Sequence, residues 1–314
     1  TQLAADLISE EPIVEKKEKK EIIIPPYEEI ELPVYDEVPH VPPLWGRVAL
    51  YGDSVNKDLI FKWINHRVLF RQRWGYKRAK QKPEDFIKHE QDVVEPLYDQ
   101  LKEEFISKGL FDPIALYAYH PCISKDNKLY VFDKKYLYNN QKEAQNVPPL
   151  EEAIEVLEFP RQGKAPHRCI SDFFANDRLD VVAFTLASAG LKLSPYEKTL
   201  YDAGKFTDYY HVHGLGVELA EATAEVIHKQ VRLDLDIVAK EGHTLQDVQI
   251  KQYTGCRYSP GYAACPDLEM NRQIFNILNP EEFGIELSET FQMHPEQTTC
   301  AIIVPHKDAN YYNL

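Results

Sequence analysis

Between Gly255 and Pro266 the chain reads GCRYSPGYAACP, 12 residues holding two glycines, two prolines, two cysteines, two tyrosines and one arginine. Glycine and proline interrupt both helix and ladder, so the composition excludes an amphipathic helix or an alternating strand here. An ordered loop is expected instead, offering backbone N–H and C=O groups to a partner. Within it Arg257 supplies a planar five-donor fork suited to a carboxylate or a phosphate. On the residues alone, a tight surface turn whose arginine pairs with a neighbouring acid is the other reading.

The rest of the sequence bounds what such a loop can serve. At 314 residues, with 44% hydrophobic and 27% charged residues, the chain can bury a large core. Thirty-six basic against 50 acidic residues give a formal charge of −14. That balance argues against a nucleic-acid backbone as the main partner, although one local basic patch is compatible with it. No apolar run approaches 18 residues, so no membrane span is expected, and residues 1–24 lack the basic–apolar–small order of a signal peptide. The five cysteines at 122, 169, 256, 265 and 300 include no Cys-x-x-Cys pair. They read as free thiols in a reducing, hence cytoplasmic, compartment. With Thr1 rather than methionine at its head, the chain is expected to be a piece of a longer one.

Residues 1–10 resemble the last turns of a helix, and 11–43 a charged, proline-rich linker or surface strap with KKEKKE at 16–21. The folded body is expected from Leu44. Apolar spacing predicts helices over 57–70, 83–108 (broken or kinked at Pro96), 208–234 and 268–278, with Thr244 capping a short helix between the last two. Strands are expected over 113–120 and 128–132 around a hairpin turn at 124–127, then over 154–159, 167–175, 181–188, 285–288 and 298–304. The fold class is therefore α+β: one large domain, a mainly antiparallel twisted sheet with long helices, preceded by an extended linker. His211-x-His213 falls on the long helix and points two ways, which is poor metal geometry. The glycines of His213-Gly214-Leu215-Gly216 read as close packing. No dinucleotide fingerprint, Walker loop or nucleophile elbow is present.

Four blocks, in order and spacing, carry a resemblance: FKWINHRVLFRQRWGYKR (61–78), RCISDFFA (168–175), LAEATAEVIHKQVR (219–232), and GCRYSPGYAACPDLEMNRQIFNIL continuing to HKDANYY. Together the chain resembles the S-adenosylmethionine-binding reactivation domain of cobalamin-dependent methionine synthase, over most of 44–314. Residues 1–10 would then end a preceding cobalamin-binding domain. The resemblance implies that Arg257 grips the methionyl carboxylate of S-adenosylmethionine. Backbone around Tyr258, Pro260 and Gly261 would hold adenine and methionyl parts. Glu221 matches a ligand-contacting acid, with a solvated acidic stripe of Glu218, Glu221 and Glu225 as the other reading. Tyr311, in preference to Tyr312, matches a second contact, and Tyr262 an aromatic near the corrin face. Asn65 stands where the family has an aspartate, and Ala263 replaces a proline. The implied cofactors are S-adenosylmethionine and cobalamin, the latter bound mainly by the preceding domain. The implied partners are that domain and flavodoxin or a related electron donor. Methyl displacement needs no protein acid or base, so no catalytic residue and no metal ligand is expected. The alternatives are a stand-alone S-adenosylmethionine-binding partner of another corrinoid enzyme, or an interaction domain without ligand.

Overall fold

A computed structural model describes residues 24–35, 38–238, 248 and 250–314. The expected helix end at 1–10, the KKEKKE run and the Thr244 cap lie outside these residues.

Among the described residues nine strands form, in chain order: β1 (Gly46–Tyr51), β2 (Ile114–Lys125), β3 (Lys128–Val131), β4 (Glu155–Glu158), β5 (Asp180–Ser188), β6 (Cys256–Tyr258), β7 (Glu286–Leu287), β8 (Met293–His294) and β9 (Thr298–Val304). The helices are α1 (Lys57–Trp63), α2 (His66–Val68), α3 (Pro83–His89), α4 (Glu95–Ser107), α5 (Gln141–Ala144), α6 (Leu193–Asp202), α7 (Phe206–Asp234) and α8 (Met270–Leu278). The main sheet runs β4-β3-β2-β5-β9-β6, with β1 also on β2, and β7-β8 is a separate ribbon. Every pairing is antiparallel. This is the expected α+β domain.

The long β2 organises the sheet. Its first half pairs with β1 up to Tyr119, and its second half pairs with β3 from Cys122. Pro121, which has no N–H to give a ladder, falls where one neighbour ends and the other begins. Alternation then sorts side chains to two covered faces. Leu116, Ala118, Phe184, Leu186, Ile302 and Val304 pack with Ile274, Phe275 and Leu278 of α8. On the opposite face Ala115, Tyr117, Ala183, Ala187 and Ile303 pack with Ala224, Ile227 and Val231 of α7. The first half of α7 leaves the sheet and builds a second core with α1, α4 and α6. At 29 residues α7 is about 43 Å long, enough to serve both cores.

Four local expectations are corrected. The helix over 57–70 is two helices, because the Asn65 side chain accepts from Val68 N at 3.2 Å and starts α2, which runs into a π-helical turn at Leu69–Arg73. The strand over 167–175 is a 3₁₀ turn at Ile170–Phe173: Asp172 folds back and accepts from Cys169 N at 2.9 Å, which tightens the chain. Cys256–Tyr258 is a strand after all, since β9 supplies its ladder from far along the chain. And α6 was not expected, because Pro195 lies within its first turn, where proline is tolerated. β1, α5 and β8 were likewise not expected; the other helices and strands fall where the spacing put them. Around Pro96 the helix continues through a π-helical turn at Glu90–Val94 rather than breaking.

The proline-rich segment before β1 is pinned at several points. Tyr35 donates to the Asp172 carbonyl at 2.9 Å, Tyr138 donates to the His40 carbonyl at 2.8 Å, and the His306 ring contacts the Val34 carbonyl at 3.0 Å.

Candidate functional site

A cleft of about 710 Å³ opens between α7, the α1–α2 junction, the Gly255–Pro266 loop and the C-terminal tail. That is ample for a nucleoside-sized ligand. Its wall is set by strand register. In β6, Arg257 pairs with Ile303, which faces α7, whereas Cys256 and Tyr258 are buried on the α8 face. Alternation therefore sends Arg257 alone toward α7.

There it meets Glu221 and Glu225, four residues and about one turn apart. Arg257 Nη2 donates to Glu221 Oε2 at 3.0 Å and to Glu225 Oε1 at 3.1 Å. The arginine side chain is only 12% exposed, its partners about 30%. Burial works against the charge, but Glu225 and Glu221 hold the guanidinium protonated well beyond its ordinary range. One half of the fork remains: Arg257 Nη1 is buried and makes no hydrogen bond, and Glu225 Oε2 is in the same state. A buried donor and a buried acceptor without partners, both on residues lining one cleft, are the sort of exception that calls for a ligand.

The loop is held by its own backbone. Gly261 N donates to Cys265 O at 2.7 Å and Cys265 N to Tyr262 O at 2.9 Å. Gly255 and Gly261 both take positive φ, and a side chain at Gly261 would run into Leu268. Opposite, the tail is tied by Arg168 to Asn310 Oδ1 at 2.7 Å and by Tyr258 to the Asn310 carbonyl at 2.7 Å. Tyr311 stands edge-on to Tyr258 at 5.9 Å, with Lys251 Nζ 5.2 Å from its ring.

Of the residues singled out in the sequence, Asn65, Glu221, Arg257, Tyr258, Tyr262 and Tyr311 all line the cleft, as does Tyr312. Pro260 and Gly261 do not; they shape the turn behind it. Tyr262 is 68% exposed at the rim. The acidic stripe is not a solvated face, because Glu218, Glu221 and Glu225 all line the cleft. The sequence reading missed Glu225 as the second partner of Arg257, and Arg73, Lys251 and Tyr253 as lining residues. The spacing 218, 221, 225 was the available signal for the first. Away from the cleft the two histidines diverge as expected: His211 Nε2 meets Tyr76 Oη at 3.3 Å, and His213 Nδ1 meets Gln297 Nε2 at 3.2 Å. Among the described residues no group of three or more potential ligands gathers for a metal, and no helix is long and apolar enough to cross a membrane.

Residues 76–314 match the family model described as vitamin B12 dependent methionine synthase, activation domain. That segment contains Glu221, Arg257 and Tyr311, while Asn65 precedes it. Methionine synthase of Mycobacterium tuberculosis is 31% identical over 297 residues, and that of Mycobacterium leprae 32% over 296. Both alignments cover 88% of this chain, which spans only 23% of either relative. Among solved structures, the crystal structure of the MetH reactivation domain bound to AdoHcy aligns with a TM-score of 0.73 at 20% identity, over 88% of this chain and 83% of that one. The folds agree. With the family model matching three quarters of its length, this chain belongs to the activation domains of vitamin B12 dependent methionine synthase.

Proposed function

We propose that the cleft binds S-adenosylmethionine and presents its methyl group to cobalamin carried by the preceding domain of the same polypeptide, so that oxidised cofactor is remethylated and returned to turnover. The observation that carries this reading is the half-used Arg257 fork. Nη2 is fixed by two glutamates while Nη1 stays buried and unpaired on the cleft wall. A carboxylate is the natural partner for that donor, through a charge-assisted bond. The amino group of an amino-acid ligand would then fall to Glu225 Oε2, the unpaired acceptor on the same ion pair. An amino-acid zwitterion thus fits the donor set.

The remaining residues position. Tyr311, exposed on the tail, offers a flat face to an adenine with the buried Tyr258 ring behind it, and the exposed ring of Tyr262 at the rim is open to a second domain. Asn65 is a neutral amide whose carbonyl oxygen is engaged by the α2 cap, which leaves the α7 glutamates as the cleft's carboxylates. When bound, the sulfonium supplies an electrophilic methyl group and cobalamin the nucleophile; this chain contributes orientation and exclusion of water. Electrons would come from flavodoxin or a related donor. A cytoplasmic setting accords with five cysteines that are all free and buried.

Calorimetric titration with S-adenosylmethionine tests the reading. The chain should bind it and Arg257→Ala should lose most of that affinity. Absence of heat with the unaltered chain would leave an interaction domain as the better account.

A further inference from the structure

The three carboxylates on α7 are not equivalent. Glu221 and Glu225 share Arg257, but Glu218, a turn earlier, is only 4% exposed and has no such donor. Its nearest cation is Arg73, from the π-helical turn after α2, with Nε 3.6 Å from Oε2. That is beyond hydrogen-bond reach, and Oε2 makes no hydrogen bond. Arg73 itself is 40% exposed, so its charge is shared with solvent. The other charged or titratable groups around the cleft are Glu221 and Glu225 on α7, Arg257 and Tyr258 from β6, Lys251 and Tyr253 before it, Tyr262 and Cys265 on the loop, and Tyr311 and Tyr312 on the tail. The cations among them are engaged: Arg257 by the two glutamates, and Lys251 by the Ala309 carbonyl at 2.7 Å.

We propose that Glu218 is the specificity-determining residue that makes the cleft prefer a sulfonium ligand: it pairs with the ligand's positive charge and gives its own proton to solvent as it does so. The inference rests on the assignment of the cleft to S-adenosylmethionine and deepens it. S-adenosylhomocysteine carries the same ammonium, carboxylate and nucleoside but lacks the methyl and the fixed charge. Any term that depends on Glu218 becoming ionised against that charge therefore separates the two. Burial lifts the Glu218 carboxyl to about 7, with Arg73 opposing and Glu221 adding to the rise, so the group holds a proton part of the time near neutrality. A cation entering the low-dielectric cleft favours the ionised form.

The test is calorimetry at pH 7 in buffers of differing ionisation heat, using the whole 314-residue chain. S-adenosylmethionine should release about half a proton more from the unaltered chain than from Glu218→Gln. S-adenosylhomocysteine should show no such difference. The preference for the sulfonium should fall on the order of tenfold in Glu218→Gln. Arg73→Gln, an exposed change that leaves the buried site in place, should raise the proton release, since Arg73 is what keeps the carboxyl partly ionised. Binding of S-adenosylmethionine with identical heats in all buffers and an unchanged preference in Glu218→Gln would overturn the proposal and leave the cleft assignment standing. No binding of either nucleoside by the unaltered chain would overturn both.

Discussion

Among the described residues, Asp172 is a carboxylate whose removal should be costly. Arg161 Nη1 donates to its Oδ2 at 2.6 Å and Nη2 to its Oδ1 at 2.7 Å, both side chains being 4% exposed. The same carboxylate accepts from Cys169 N, and its own carbonyl receives Tyr35 of the strap. Asp172→Ala therefore removes the anion from a buried guanidinium and the side-chain bond that tightens the 3₁₀ turn, and so weakens the turn on whose main-chain carbonyl the strap is anchored. Breaking one side of a buried pair costs about 3–5 kcal/mol. For a domain of this size that corresponds to a fall of roughly 10 °C in melting temperature. Thermal melts of Asp172→Ala, Arg161→Met and the double variant measure it. The double variant should recover part of the loss, because an absent pair leaves no unpaired charge. Limited proteolysis should also cut the 24–43 segment faster in Asp172→Ala. A loss below 1 kcal/mol, or strictly additive losses in the double variant, would refute this account of the pair.

Three further outcomes follow from the same geometry. For Glu218 the folded carboxyl lies near 7 rather than its ordinary 4.5, so the folded state keeps a proton that the unfolded chain has lost. Its contribution to stability thus declines as pH rises from about 4.5 to 7 and stays low above that; Glu218→Gln should match the parent near pH 4 and exceed it by about 3 kcal/mol at pH 8 by urea titration. On α7, Gly214→Ala would press on the rigid indole of Trp74 at 2.8 Å, whereas Gly216→Ala meets a methyl end of Leu193 at 2.9 Å and, less tightly, Cγ of Gln297 at 3.1 Å. Melting should show Gly214→Ala destabilised by about 1–2 kcal/mol and Gly216→Ala by less, the helix-propensity gain being common to both.

How far the sequence spoke depends on whether the cause was local. Helix periodicity in 208–234 and the apolar runs of β2 and β5 marked two of the three layers, because burial on α7 and the sheet leaves a regular pattern. The β6 strand was invisible: three residues between a glycine and a serine acquire a strand only by pairing with β9, some 45 residues later. The Asp172 turn was hidden for the opposite reason. RCISDFFA carries enough apolar and aromatic residues to read as a strand, and a side-chain-to-backbone bond from Asp172 closes it into a turn instead. At the cleft, residue types alone left Arg257 open to two readings, and the structure joins them. The arginine does pair with neighbouring acids, yet it does so through one nitrogen only, at the edge of a large cleft. Which half of the fork is committed is decided by where α7 lies against β6, and that is a packing outcome.

The most direct test of the central claim pairs a change in the protein with a change in the ligand. Affinities of S-adenosylmethionine and of its carboxamide, in which the ligand carboxylate is neutralised, should be measured on the unaltered chain and on Arg257→Ala. A charge-assisted bond predicts that the carboxamide binds the unaltered chain about 10–100-fold more weakly and that Arg257→Ala scarcely distinguishes the two. Equal losses from the carboxamide in both proteins would mean that the ligand carboxylate lies elsewhere and that Arg257 serves only its two glutamates.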